Sequence, residues 1–170
     1  MATSLQFIKS VSATDINEFL ITDIFSDAYD VYKIVINKID TTVQTYNWIR
    51  FLDSSGNSIS DSEYDRAYLQ MTSYQAFQEG RSTGLNAIKD VDSSGTNQSD
   101  GIGNVMYIFN PYDSSSYTFL LGQSSGQLSS GLIGIKIIGV HKSAEQITGI
   151  NYKRGSGNFD NVTVSVYGVK

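Results

Sequence analysis

The stretch Val162-Thr-Val-Ser-Val-Tyr167 alternates strictly between valine and a second type of residue. Successive side chains of a β-strand point to opposite faces, so Val162, Val164 and Val166 share one face and the residues between them share the other. A strand with a single buried face requires one apolar and one mainly polar side. The C-terminal residues up to Val169 therefore predict a half-buried strand with the three valines in the core.

Similar patterns recur along the chain, in Asp30–Lys38, Tyr46–Leu52 and Asn104–Asn110. Leu132–His141 is apolar at nearly every position, which indicates a central strand with Ile135 and Ile137 in the core. Turn-forming residues separate these runs, at Asp53-Ser-Ser-Gly-Asn57, Asp92-Ser-Ser-Gly95, Asn110-Pro-Tyr-Asp113 and Gly155-Ser-Gly-Asn158. About eight strands at these spacings predict an all-β fold, an antiparallel, jelly-roll-like β-sandwich.

The length of 170 residues predicts a single β-sandwich domain over residues 1–170. Two regions are less regular. Ser62–Tyr74 fits either a strand with Ala67, Leu69 and Met71 inward or a short helix, and the strand is favoured. Gly80–Gly103 has few apolar residues, which predicts a long irregular excursion.

Composition argues against several classes of protein. The net charge of −5 disfavours a nucleic-acid binder, because such proteins concentrate Lys and Arg. The sequence has no cysteine, and therefore no disulfide framework or thiolate metal site. Met1–Ser12 lacks the pattern of a secretory signal, and the longest near-apolar run, Leu132–Val140, is interrupted by Lys136. We expect neither classical export nor insertion into a membrane.

The motifs that resemble catalytic ones lack their required partners. The pattern G-x-S-x-G occurs at Gly80–Gly84 and at Gly122–Gly126. A nucleophile elbow needs a strand-to-helix turn, followed in the chain by an acid and then a histidine. No acid lies between Ser124 and His141, the only histidine, and no helix–strand alternation surrounds the first match. His141 shares a strand face with core isoleucines, so we expect it to be packed, and we expect no catalytic residue.

Two acidic segments are candidates for cation binding. Asp61, Glu63 and Asp65 would share one face of a strand, either as a solvated edge or on a cation, and the solvated edge is favoured. Asp90-Val-Asp92-Ser-Ser-Gly95 matches the start of an EF-hand loop, but Gly101 stands where the loop needs its bidentate glutamate. Calcium binding is the alternative in this loop. We predict no tight calcium site, no metal centre and no cofactor.

Aromatic and charged residues suggest where other molecules bind. Tyr112 and Tyr117 lie in a segment rich in Tyr and Phe, and tyrosine suits both protein interfaces and sugar stacking. Residues 131–170 carry an excess of basic side chains, whereas the rest of the chain is acidic. Lys142, Lys153 and Arg154 are therefore candidate rim charges, which would steer association with an acidic partner.

Several segments of the sequence resemble small β-sandwich structural proteins of tailed bacteriophages, particularly marine and cyanophage-like ones. The resemblance covers most of the chain apart from residues 81–99. It is carried by Ser4-Leu-Gln-Phe-Ile-Lys-Ser10, Tyr29-Asp-Val-Tyr-Lys-Ile34, Arg50-Phe-Leu-Asp-Ser-Ser-Gly56, Met106-Tyr-Ile-Phe-Asn-Pro-Tyr-Asp-Ser-Ser-Ser-Tyr-Thr-Phe119, Gly139-Val-His-Lys142, Ile147-Thr-Gly-Ile150, Gly157-Asn-Phe159 and Val164-Ser-Val-Tyr-Gly-Val-Lys170.

The resemblance implies a virion component without enzyme activity, either a capsid decoration protein or a tail or fibre module. The expected partners are other virion proteins and further copies of the chain, and the expected location is the virion, assembled in the host cytoplasm. The alternative function is a glycan-binding module for attachment to the host. The two functions overlap if the domain lies on a fibre.

Overall fold

A computed structural model describes residues 4–41, 43–96 and 101–170 of the chain. These residues form strands and connecting turns, and no helix among them is long and apolar enough to span a membrane. The strands are β1 (Leu5–Ala13), β2 (Glu18–Ile21), β3 (Val31–Thr41), β4 (Thr45–Leu52), β5 (Tyr64–Thr72), β6 (Gln78–Leu85), β7 (Ile88–Ser94), β8 (Ile102–Phe109), β9 (Thr118–Leu128), β10 (Gly131–His141), β11 (Gly149–Arg154) and β12 (Phe159–Val169).

The strands form two antiparallel sheets that pack face to face. The large sheet has eight strands in the order β1-β12-β3-β8-β9-β10-β5-β6, and the small sheet has four in the order β2-β11-β4-β7. The predicted fold class, an antiparallel β-sandwich of jelly-roll-like type, is confirmed.

The core lies between the two sheets. Val162, Val164 and Val166 of β12 are buried, as are Ile135 and Ile137 of β10, so the predicted core positions are confirmed. Across from them the small sheet contributes aromatic and branched side chains, which include Phe51 and Ile150. Local alternation was therefore sufficient to identify the inner face of β12, and the nearly continuous apolar run of β10 was sufficient to place its isoleucines in the core.

The strand count and the predicted excursion were wrong. Twelve strands are described instead of about eight, and most of the segment from 80 to 103 lies in β6, β7 and the start of β8; residues 97–100 lie outside the described residues. β6 is an edge strand of the large sheet, and its polar residues pair with β5 through the backbone. Backbone pairing needs no apolar side chains, which is why a count of apolar alternation missed this strand.

The segment Ser62–Tyr74 does contain a strand, β5, but its predicted inner face was wrong. Tyr64 and Gln70 point into the core, whereas Leu69 and Met71 are exposed on the outer face of the large sheet. The register with β10 decides this, because it places Tyr64 opposite the buried His141. The sequence of β5 alone favours the opposite face.

Three of the four predicted turns are confirmed. Asp53 accepts hydrogen bonds at Oδ1 from the backbone amides of Ser55 and Asn57, each 2.8 Å long, after the end of β4. Pro111 follows Asn110 in the turn between β8 and β9, and Gly157, with φ of 66°, lies between β11 and β12. The fourth, at Asp92–Gly95, was wrong, because residues up to Ser94 belong to β7.

Candidate interaction surface

The outer face of the large sheet forms a continuous surface across all eight strands. Directly paired residues of antiparallel strands share a face, so the registers define rows of neighbouring side chains. One such row crosses the whole sheet through Phe7, Tyr167, Lys33, Tyr107, Leu121, Ile138, Ala67 and Arg81. Most of these side chains are apolar or aromatic, although no strand of the described chain covers this face.

Large apolar side chains are exposed on the β5, β9 and β10 part of this face. Ile138 is 55% exposed and Leu132 is 53% exposed, and Phe119, Leu69 and Met71 are also exposed. Contiguous exposed apolar patches on soluble proteins commonly mark interaction sites. We call this part of the surface the outer apolar face.

A groove with a volume of about 640 Å³ lies on the outer apolar face. Its floor contains Ala67, Phe119, Ile138 and Val140, and Arg81 lies in its wall on β6. The floor is almost entirely apolar, so the groove suits apolar groups of a partner better than charged ones.

Two charged groups beside the groove, Asp65 and Arg66, are already paired within the chain. Lys142 Nζ lies 3.0 Å from Asp65 Oδ1, and that oxygen also accepts a hydrogen bond of 2.9 Å from the backbone amide of Gly84. The Gly84 bond and the Lys142 ammonium lower the pKa of Asp65. Arg66 forms an ion pair of 2.6 Å with Asp90. Because these charged groups are paired, the apolar floor is the part of the groove best suited to contact a partner.

One row of the outer apolar face has opposite charges at its two ends. Lys136 on β10 is opposite Leu69 on β5, and Leu69 is opposite Glu79 on β6. All three residues are exposed. Neighbouring strands are about 4.8 Å apart, so the ammonium and the carboxylate bracket Leu69 across about 10 Å.

The two tyrosines predicted as contact residues differ in their exposure. Tyr117 is exposed and precedes the outward-facing Phe119 by two residues. Tyr112 is partly buried and packs against the core. Tyr117 is therefore the better candidate for a contact residue.

The predicted basic rim was only partly accessible. Lys142 pairs with Asp65, and Lys153 pairs with Glu18 at 3.0 Å. Arg154 was wrong as a surface contact, because its side chain is fully buried. Its Nε donates to the carbonyl of Ser156 at 3.1 Å, its guanidinium also donates to the carbonyl of Val43, and it lies over the ring of Phe159. A lysine or arginine excess along the sequence does not reveal which side chains are buried.

Asp92, from the calcium-like segment, belongs to a buried polar cluster. It accepts hydrogen bonds from the side-chain amides of Asn47 and Asn104, the latter 2.6 Å long, and from the hydroxyl of Tyr152. Burial raises the pKa of Asp92, whereas the hydrogen bonds and Arg154 oppose that shift. These partners occupy both carboxylate oxygens, and the segment lies in β7 rather than in an open loop. We therefore assign a structural role to this cluster.

The serines of the G-x-S-x-G matches do not meet the histidine in an elbow. Ser124 is on the inner face of β9, opposite Ile135, while His141 is opposite Thr118. Six residues along a strand correspond to about 20 Å, so Ser124 and His141 are far apart. Ser82 is on the edge strand β6, opposite Arg66.

No protein-family model and no curated protein matches the chain. Among solved structures, the galectin LEC-6 of Caenorhabditis elegans aligns over 98% of this chain and 96% of its own, with 9% identity and a TM-score of 0.38. Congerin II carrying T88I aligns over 93% and 99%, with 13% identity and a TM-score of 0.30. The enzymatically active domain of tailspike protein 4 of bacteriophage CBA120 aligns over 98% of this chain but 19% of its own, with 10% identity and a TM-score of 0.21. Similarities this low carry no argument about function.

Proposed function

We propose that this protein is a non-enzymatic structural component of a bacteriophage virion, a capsid decoration protein or a tail or fibre module. It acts through protein contacts made by the outer apolar face, in the first place with a second copy of itself. The proposal joins two lines of support. The sequence resembles phage structural proteins, and no strand among the described residues covers the apolar outer face of the large sheet.

The exposed apolar side chains carry the proposal. Ile138, Leu132 and Phe119 are each exposed to water by more than two fifths. Removing apolar surface from water is worth about 25 cal/mol per Å², so covering several such side chains at once supplies a substantial driving force. Part of it is offset by the entropy lost on association. A multivalent assembly that repeats this contact needs only modest affinity at each one.

The charge arrangement favours a second copy as the partner. A two-fold axis in the interface, parallel to β5 and passing by Leu69, would place Lys136 of each copy over Glu79 of the other. The same operation brings Leu69 and Met71 of β5 against their counterparts and places the exposed apolar side chains of β10 over β6 of the other copy. Isologous contacts of this kind are the commonest in homo-oligomers, because one surface serves both partners. The row of Lys136, Leu69 and Glu79 is thus complementary to itself.

A glycan-binding attachment module is the second candidate. Its support is the groove, where the exposed ring of Phe119 offers a stacking surface and the side chains of Asp65 and Arg81 offer polar groups at the edge. Sugar sites combine such a ring with several hydrogen-bonding groups. Because the groove floor is apolar and Asp65 is already paired, the protein contact is the lead proposal.

Sedimentation velocity of the purified chain tests the self-contact. We expect a dimer that Leu69→Asp converts to a folded monomer, because the two-fold axis passes by Leu69 and would bring the two introduced carboxylates against each other. Leu20→Asp is the matched control, since Leu20 is 48% exposed on β2 of the small sheet, and it should leave the dimer intact. A wild-type monomer at all concentrations, or equal effects of both changes, would contradict the self-contact.

Two further measurements separate the functions. Mass spectrometry of purified particles should detect the chain at many copies per particle, and its absence from particles would contradict the virion proposal. On a glycan array we expect no binding. Specific binding that Phe119→Ala abolishes while the dimer persists would establish the attachment function instead.

A further inference from the structure

Glu63, His141 and Glu145 meet at one end of the sandwich, although they lie on three separate segments. Glu63 immediately precedes β5, His141 ends β10, and Glu145 is in the connection from β10 to β11. Backbone contacts hold two of the segments together. The amide of Lys142 donates a hydrogen bond of 2.9 Å to the carbonyl of Glu63, and His141 is directly opposite Tyr64 in the sheet.

The imidazole of His141 is buried but lacks a hydrogen-bond partner for either ring nitrogen among the described residues. Its ring plane is held by aromatic neighbours, with centroids 4.7 Å from Tyr64 and 6.1 Å from Phe51. The ring directs Nε2 at both carboxylates. A buried polar group without a partner is costly and therefore uncommon in folded proteins. A ligand at Nε2 would remove that cost.

The distances from Nε2 fit a shared ion better than direct hydrogen bonds. Nε2 lies 3.6 Å from Glu63 Oε2 and 3.8 Å from Glu145 Oε1. Hydrogen bonds between nitrogen and oxygen are about 2.7–3.2 Å long, so both contacts are too long. Zinc bonds of about 2.0–2.1 Å, arranged tetrahedrally, separate neighbouring ligand atoms by about 3.3–3.4 Å. The three ligand atoms lie within 4.8 Å of one another, so small side-chain movements produce that spacing.

We propose that Glu63, His141 and Glu145 form a binding site for one divalent transition-metal ion, for which Zn²⁺ is the best-fitting candidate. One imidazole nitrogen with two carboxylate oxygens matches the donor preferences of zinc, whereas calcium and magnesium prefer oxygen ligands alone. Glu63 and Glu145 are 45% and 34% exposed, so the ion enters from solvent and water completes the coordination.

The ion would add a link between three segments, of which the end of β10 and the start of β5 are already joined by backbone pairing and by the ion pair of Lys142 with Asp65. It would fix the connection from β10 to β11 against the start of β5 at this end of the sandwich. Metal-bound histidines usually donate their second nitrogen to an acceptor, and Nδ1 of His141 has none among the described residues. We therefore expect affinity in the micromolar range, weaker than in zinc sites with a complete outer shell. This site is independent of the outer apolar face.

The test uses the purified full chain after treatment with a chelator. Calorimetric titration with ZnCl₂ should give one ion per chain, and Co²⁺ should produce the intense visible absorption of a tetrahedral site. The melting temperature should rise with Zn²⁺ and stay unchanged with Mg²⁺. Glu145→Gln should weaken binding by at least about tenfold. Glu18→Gln is the control, because Glu18 is as exposed as Glu63, and it should bind as the wild type does.

His141→Asn is a second variant, but it changes a buried residue and is interpreted only if it folds. The conclusion therefore depends on the two partly exposed glutamates. Absence of Zn²⁺ and Co²⁺ binding in the wild type would overturn the proposal. Binding that survives in both Glu63→Gln and Glu145→Gln would also overturn it, because the ion would then be held elsewhere.

Discussion

The phenolic hydroxyl of Tyr152 donates a hydrogen bond of 2.8 Å to Oδ2 of Asp92, and both side chains are fully buried. Tyr152 is on β11 and Asp92 is on β7, which flank β4 in the small sheet. Asn104 of the large sheet donates to the same oxygen. With Asn47 of β4, the carboxylate therefore links four strands and both sheets. A misplaced strand at this position would leave several polar groups unpaired.

Asp92→Asn should destabilise the folded protein. Two side-chain amides and one hydroxyl point donors at the carboxylate, so an amide NH₂ at that position meets a donor instead of an acceptor. We expect a loss of about 1–3 kcal/mol in the free energy of unfolding, the usual cost of leaving a buried polar group unsatisfied. Urea denaturation measures it. Asp27→Asn removes the same charge from an exposed residue and should change stability little; equal losses in both variants would contradict the role of the cluster.

The stability difference between the wild type and Asp92→Asn should depend on pH. Burial raises the pKa of Asp92 above its ordinary value of 3.8, so at pH values between the pKa of the unfolded state and that of the folded state, the folded state binds a proton that the unfolded state has lost. The contribution of Asp92 to the unfolding free energy therefore falls as pH rises from about 4 through the pKa of the folded state. Urea denaturation of both proteins from about pH 4 to about pH 7 should show the largest wild-type advantage at the acidic end. An advantage that grows with pH would mean that the hydrogen bonds outweigh burial.

Gly149→Ala should be severely destabilising. A Cβ at this first residue of β11 would clash with the backbone carbonyl of Ile21 on β2, and backbone cannot move aside as a flexible side chain can. We expect at least about 1–3 kcal/mol of lost stability, or loss of the folded protein. Thermal denaturation followed by circular dichroism gives the effect. Gly103→Ala is the control, since no atom of the described residues lies within 4 Å of a Cβ there, and a similar loss in that variant would contradict the explanation.

Reversing one charge of the outer apolar face should weaken self-association. Lys136→Glu places like charges opposite each other in the proposed two-fold contact. The association constant of the dimer should fall by a few-fold to about tenfold, because exposed ion pairs are individually weak. Combining it with Glu79→Lys should restore the dimer. Sedimentation equilibrium at low and high salt measures both effects, and salt should reduce them by screening. Failure of the double variant to recover would exclude this two-fold arrangement while leaving other arrangements of the face open to test.

Much of the fold followed from the sequence because alternation is a local property. The valines of β12 were placed correctly because that strand alternates strictly, and the isoleucines of β10 were placed in the core because the run is apolar at nearly every position. The same reasoning failed for β5, where both faces carry sizeable side chains and only the pairing with β10 decides between them. It also failed for β6, where backbone pairing at a sheet edge leaves no apolar signal.

The candidate sites depended more strongly on tertiary structure. The nearly continuous apolar run of β10 predicted a central strand, and β10 does lie inside the large sheet, yet Leu132 and Ile138 are exposed because no layer of the described residues covers the outer face of that sheet. This run of apolar residues was the feature of the sequence that could have indicated an interaction surface. Nothing in the sequence linked Glu145 to Glu63, because they are 82 positions apart and meet only through strand pairing.

By itself, the sequence determined that this chain forms antiparallel strands, which residues of the regular strands point inward, and where most turns occur. Those features depend on neighbouring residues and on the two-residue period of a strand. Only the tertiary structure decided that Arg154 is buried, that the outer face of β5 is apolar, and that His141 lies between two glutamates. Each of these depends on the register between strands distant in the chain, and a shift of one residue in that register would turn every side chain to the other face.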